Sequence, residues 1–265
     1  MNNIKIRNNV KVSGNKNGPT LMLAHGFGCD QNMWRFMQPI LEKHYQVVLF
    51  DYVGSGKSLL TDYSTEKYGT LEGYAEDIID IIHELKLTNV SIIGHSVSSI
   101  IASIASIKIP EIITNLIMIC PSPCFLNVPP DYEGGFERSD LEELVGLMDK
   151  NYIGWANYLA PLVMGSSQSP ELIAELSGSF CSTDPLIAKN FAKATFFSDY
   201  RHILKDIACP SLILQSETDS LADVQVGKYM AENINNCELE VINAEGHCLH
   251  MTNHEDIVPI ILRFI

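Results

Sequence analysis

Six short runs of apolar residues punctuate the chain: LMLA (21–24), VVLF (47–50), VSIIG (90–94), LIMIC (116–120), SLILQ (211–215) and LEVI (239–242). Consecutive positions in them are apolar, so both faces of the segment avoid water, as in a buried parallel strand. Between the runs, apolar positions recur at helical spacing near 31–43, 71–86, 97–108, 222–234 and 254–264. In GYAEDIIDIIHEL, for example, Tyr74, Ile78, Ile81, Ile82 and Leu85 share one helical face. This alternation predicts an α/β architecture, a mostly parallel sheet flanked by helices and joined by right-handed crossovers.

The alternation stops between 123 and 195. Leu141, Leu144, Val145 and Met148 repeat at helical spacing, and Trp155, Tyr158 and Leu159 follow on a second segment. The reading is a core formed by 1–122 and 196–265, with 123–195 as a helical insertion. Helix packing accounts for these apolar residues. An insertion there could also cover the carboxyl edge of the sheet, where open α/β folds bind ligands.

Composition narrows the partners. The 265 residues are 46% apolar and 19% charged, an ordinary globular balance. A formal net charge of -14 repels phosphate backbones, so nucleic acid and anionic membrane are poor partners. The start, MNNIKIRNNV, lacks the apolar core of a signal peptide, and no apolar run is long enough to span a bilayer. A cytoplasmic location is expected. Seven cysteines, an odd number without C-x-x-C or paired zinc spacing, point to reduced thiols and mostly small buried hydrophobes.

One stretch suggests a nucleotide site. DYVGSGKS (51–58) follows a strand and ends like a phosphate-binding loop. The first position of that motif must be glycine and is Asp51 here, which would set a negative charge beside the phosphates. The stretch that follows, LLTDYSTEKYG, is turn-rich, so no helix N-terminus is offered to an anion. A tight turn tied by the Asp51 side chain accounts for it better.

VSIIGHSVSS (90–99) is more informative. A buried strand runs into Gly94-His95-Ser96-Val97-Ser98, and a helical pattern follows at once. That is the strand–turn–helix setting of a nucleophile elbow, G-x-S-x-G, with Ser98 at the last position. A serine in a helix-capping turn is the plainer alternative. A nucleophilic serine needs a base, and the base an orienting acid. Asp219 follows the strand SLILQ and His247 follows LEVI, in the chain order Ser, Asp, His. Glu217 and Asp223 compete with Asp219, and His250 lies three residues past His247. Two backbone N–H groups must hold the developing oxyanion. Val97, after the serine, supplies one, and Phe27 in the loop His25-Gly26-Phe27-Gly28 is the candidate for the other.

With these residues in place the chain resembles the α/β-hydrolase superfamily. Within it, HGFGCDQ, FDYVGSG, GHSVS, PSPCFLN, GGFE, NYIGWA, FCSTDP, FFSDYR and EGHC are similar to the RsbQ group of bacterial stress-response hydrolases and to plant karrikin and strigolactone receptors. The resemblance implies a Ser96–Asp219–His247 triad with an oxyanion hole at Phe27 and Val97. It implies a four-helix cap inserted after the sixth strand, over a small apolar pocket that Phe27, Phe136, Trp155, Phe196 and Ser220 line. It further implies a sensor-domain phosphatase as partner in activating a general stress response, as for RsbQ, or a butenolide-type lactone as ligand, as for the plant relatives.

The expected function is that of a serine hydrolase on a small apolar ester or lactone, needing neither metal nor organic cofactor. The alternative is a small-molecule receptor that binds a partner protein, with slow or incidental turnover. Haloalkane dehalogenases and epoxide hydrolases put a carboxylate at the elbow, which Ser96 is not.

Overall fold

The computed structural model describes residues 3–165 and 167–265. Its strands are β1 (Lys11–Gly14), β2 (Thr20–Ala24), β3 (Gln46–Leu49), β4 (Val90–His95), β5 (Ile113–Ile119), β6 (Ser211–Thr218) and β7 (Cys237–Glu245). They form one sheet in the order β1-β3-β2-β4-β5-β6-β7. Every pairing is parallel except that of β1 with β3.

The continuous apolar runs arise because the sheet is covered on both faces. Alternate residues of each strand enter different cores. Leu21, Leu23, Val47 and Leu49 pack on one side with Trp34, Met37, Ile257 and Ile261. Met22, Ala24, Val48 and Phe50 pack on the other with Tyr74, Ile78, Ile81 and Ile101. The helices Leu71–Glu84, Val97–Lys108, Val224–Asn233 and His254–Phe264 lie where the periodicity predicts them. The helix predicted over 31–43 is instead a 3-10 turn, Gln31–Trp34, and a short helix, Gln38–Leu41. Pro39 has no N–H to donate to the preceding turn and suits only the start of a new one.

Between β5 and β6 lie four helices: Arg138–Lys150, Tyr152–Met164, Pro170–Ser182 and Pro185–Phe196. Counted in chain order among the described residues, the strand before them is the fifth, not the sixth. The last helix also ends one residue past the expected boundary at 195. Leu141, Val145, Met148, Trp155 and Leu159 are buried, whereas Tyr158 is 59% exposed.

The order β3-β2-β4 means that the chain crosses over β2 on its way from β3 to β4. The register pairs Ala24 with Gly94. The loop after β2 and the turn after β4 therefore leave the sheet side by side, at the switch in strand order where such sheets bind ligands. No helix among the described residues is long and apolar enough to cross a membrane.

Candidate active site

The turn at the end of β4 is built by steric exclusion. Ser96 has φ +56° and ψ −124°, a strained conformation for a residue with a side chain. It sits directly before the helix Val97–Lys108. Gly94 must be glycine, because a Cβ there would lie 2.6 Å from the Ser98 carbonyl oxygen. Ser98 need not be, because its side chain has a place to go. Its hydroxyl donates to the His25 carbonyl and lies 3.0 Å from the Tyr52 hydroxyl. The residue that departs from G-x-S-x-G thus ties the elbow to the loop carrying Phe27.

His247 brings the three predicted groups together. Its Nε2 lies 2.7 Å from Ser96 Oγ, and its Nδ1 lies 2.7 Å from Asp219 Oδ2. Asp219 Oδ1 accepts N–H bonds from Leu221 at 2.8 Å and Ala222 at 3.1 Å. Burial raises the Asp219 carboxyl, but the adjacent His247 and these two N–H donors outweigh it and the net shift is downward. An ionised Asp219 accepts from Nδ1–H, which leaves the Nε2 lone pair for the serine hydroxyl. The competitors fall away on position. Glu217 is exposed, and Asp223 caps a helix by accepting from Gln225 N–H at 2.9 Å. His250 is buried against Trp34 and His95.

His95 turns away from Ser96, and its Nε2 lies 2.9 Å from the His247 carbonyl oxygen. Burial, then repulsion from His247, lowers its pKa to about 3, so it is a neutral donor that fixes the His247 backbone. Among the described residues neither Phe27 N–H nor Val97 N–H has a turn or loop acceptor. Gly26 lets its loop approach, since a Cβ there would lie 2.4 Å from His95 Nδ1. His25 is structural: Tyr52 N–H donates to its Nε2 at 3.3 Å, and its Nδ1 lies 3.0 Å from the Gly26 carbonyl oxygen.

The stretch 51–58 is a turn. Asp51 is buried and accepts from Gln31 N–H at 2.9 Å, Lys57 N–H at 2.9 Å and Asn9 Nδ2 at 2.7 Å.

Beside Ser96 and His247 lies a cavity of about 30 Å³, room for roughly two waters. Of the residues expected to line a pocket, Phe27 and Phe196 border this cavity. Trp155 does not: it is buried behind Phe27, ring centroids 6.1 Å apart, and stacks on Tyr152 at 5.4 Å. Phe136 and Ser220 line a neighbouring outer groove of about 380 Å³. Leu159 and Leu221 border both spaces. Predicting from chain neighbours of the polar site residues could have found Cys29, Leu221 and Cys248. Phe125, Phe180 and Thr195 carry no such signal, because their place depends on how the four helices settle.

Among the described residues, two groups of side chains have potential metal-ligating atoms within 4.8 Å of one another: His95, Cys248 and His250, and Cys120, Asp219 and His247. Burial raises the pKa of both thiols, so either would bind a metal only on losing a proton that its surroundings retain.

The chain is similar to known proteins over most of its length. The chain is 39% identical over 258 residues to karrikin insensitive 2 receptor CA of Petunia hybrida, covering 97% of this chain and 95% of that one. It is 35% identical to strigolactone esterase D14 of Arabidopsis thaliana, over 90% and 89% of the two chains. The structure of a hydrolase from Oleispira antarctica superposes with a TM-score of 0.97 at 65% identity, covering 98% of this chain and 95% of that one. Residues 19–254 match the profile of the alpha/beta hydrolase fold, and the chain belongs to that family.

Proposed function

We propose that this protein is a serine hydrolase that cleaves a small, largely apolar ester or lactone. One observation carries the reading: the hydrogen-bonded series Asp219–His247–Ser96 ends on a serine in a strained turn at the switch point of the sheet. His247 Nε2 takes the proton as Ser96 Oγ attacks the carbonyl carbon. Ionised Asp219 holds the imidazole and offsets the charge of the imidazolium. Phe27 and Val97 N–H groups receive the oxyanion. Collapse of the tetrahedral intermediate transfers the His247 proton to the leaving oxygen. A water, deprotonated by His247, then attacks the acyl-serine; the released acid leaves Ser96 protonated and the base free.

Replacing Ser96 by Ala removes the attacking atom. Hydrolysis of p-nitrophenyl acetate is expected to fall by at least about 10³-fold. Undiminished turnover in the variant would take Ser96 out of its role.

A second reading is a receptor in which ligand binding in the cavity rearranges the four helices and recruits a protein. The names of the receptor relatives and the tightness of the cavity favour it. An RsbQ-like role, with a sensor-domain phosphatase in a cytoplasmic stress response, rests on the sequence motifs. Pull-downs with and without ligand separate binding from chemistry: a receptor keeps ligand-dependent capture of its partner after Ser96→Ala.

A further inference from the structure

The walls of the cavity beside Ser96 are mostly rings and aliphatic chains, and nearly every polar atom there is already committed. Ser96 Oγ and His247 Nε2 face each other. His95 Nε2 is spent on the His247 carbonyl; its Nδ1 also lacks a partner among the described residues, but Gly26 closes over it so tightly that a Cβ there would lie 2.4 Å away. Cys29 and Cys248 offer thiols, which are weak donors and acceptors.

Thr195 is different. It lies on the helix Pro185–Phe196, one residue before Phe196, and lines the same cavity. It is 3% exposed, and its hydroxyl has no hydrogen-bond partner among the described residues. A helical threonine usually satisfies its hydroxyl on a carbonyl one turn back. A buried hydroxyl left unmatched costs free energy that a ligand oxygen or a water can recover. At this position valine would fill almost the same space without that cost.

We propose that Thr195 Oγ1 is a specificity-determining group that hydrogen-bonds a second oxygen of the substrate, remote from the carbonyl that Ser96 attacks. The substrate class narrows to small esters or lactones that carry an ether, hydroxyl or carbonyl oxygen in the acyl part. The acyl part is assigned to the inner cavity because the cavity is small. The outer groove, which shares Leu159 and Leu221 with it, has room for a bulkier leaving group. The inference rests on the serine-hydrolase reading above.

Two p-nitrophenyl esters of nearly equal size test it: methoxyacetate and butyrate, which differ by an oxygen in place of a methylene. Each is assayed with the intact protein and with Thr195→Val, Thr195→Ser and Ser96→Ala. Intrinsic reactivity cancels when each variant is compared with the intact protein on the same ester. Thr195→Val is expected to lower kcat/KM for the methoxyacetate relative to that for the butyrate by about three- to tenfold. Thr195→Ser, which keeps the hydroxyl, is expected to restore most of the difference. Equal effects of Thr195→Val on both esters, with Ser96→Ala inactive, would overturn the Thr195 assignment and leave the hydrolase reading standing. Full activity of Ser96→Ala, or no hydrolysis of either ester by the intact protein, would overturn the hydrolase reading and the substrate class with it.

Discussion

Ser98 occupies a position where the elbow motif calls for glycine, and its hydroxyl bridges the His25 carbonyl and the Tyr52 phenol. His25 opens the loop that carries Phe27, so this bridge sets the distance between the two proposed oxyanion donors. Ser98→Ala leaves two buried polar groups unmatched, a cost of roughly 1–3 kcal/mol. We expect kcat on p-nitrophenyl acetate to fall about tenfold with KM little changed; steady-state kinetics showing an unaltered kcat would disprove the link. A second prediction concerns three buried imidazoles. Burial lowers the pKa of His25, holds that of His250 well below its ordinary value and takes that of His95 to about 3. Between that value and the ordinary 6.5 the unfolded chain binds protons that the folded chain refuses. The stabilisation is therefore complete above pH 6.5 and is lost as pH falls, by up to about 1.4 kcal/mol per pH unit for each group. Melting temperature is expected to drop steadily from pH 7 to pH 5, and a flat profile would contradict the neutral assignment. The sequence could point to Ser96, Asp219 and His247, which the fold brings within hydrogen-bond reach of one another, because the proposed chemistry restricts residue type and chain order. Trp155 lies behind Phe27, and Phe136 and Ser220 line the outer groove; an aromatic or a serine near a site reads the same in sequence whether it lines a cavity or backs one.

At the scale of elements, legibility follows burial. The central strands, buried on both faces, announce themselves as apolar runs. The edge strand β1 (Lys11–Gly14, KVSG) is largely exposed and pairs with one neighbour, so its residues carry no apolar signal. β7, at the other edge, extends beyond its LEVI core to Cys237–Glu245, and only Ile242 of its residues is buried. Charged side chains such as Glu238 and Glu240 suit an unpaired edge, which they protect from further strand addition. The turn after β3 was legible for a different reason: one missing glycine excluded the phosphate loop. Its Asp51 gathers donors from Asn9, Gln31 and Lys57, three separate segments. Gly56 has φ +53°, and a Cβ there would lie 2.4 Å from Asp51 Oδ2. Asp51→Ala is expected to destabilise the fold by about 3 kcal/mol, seen as a fall in Tm of roughly 6–12 °C. A change under 2 °C, taken as roughly half a kcal/mol, would mean that the turn holds without its carboxylate.

For the whole molecule, the consequential contacts join the four-helix insertion to the sheet edge, and they reach the site itself. Arg35 makes a two-pronged ion pair with Glu175, both bonds 2.6 Å, but both side chains are solvated and such pairs contribute little. Ser179 Oγ donates to the Gly28 carbonyl at 2.8 Å, beside Phe27. Most telling, His247 N–H donates to the Val163 carbonyl at 2.7 Å. Val163 lies in the last turn of the helix Tyr152–Met164, where carbonyls lack partners within the helix. The imidazole proposed as the base therefore hangs from a loop that caps an insertion helix, and displacement of that helix must move it. Gly246 makes the junction possible: it has φ +102°, and a Cβ would lie 2.1 Å from the Met164 carbonyl oxygen. No part of this coupling could be read from EGHC alone, because the opposing carbonyls come from a segment some eighty positions away. Gly246→Ala should force the helix end and the loop apart, costing roughly 1–3 kcal/mol of strain. We expect kcat to fall at least about tenfold, because His247 loses its alignment with Ser96. Tm should drop by about 2–12 °C, and proteolysis should cut faster within 151–165. Wild-type kcat with an unchanged cleavage rate would show that the base keeps its place independently of the helices above it.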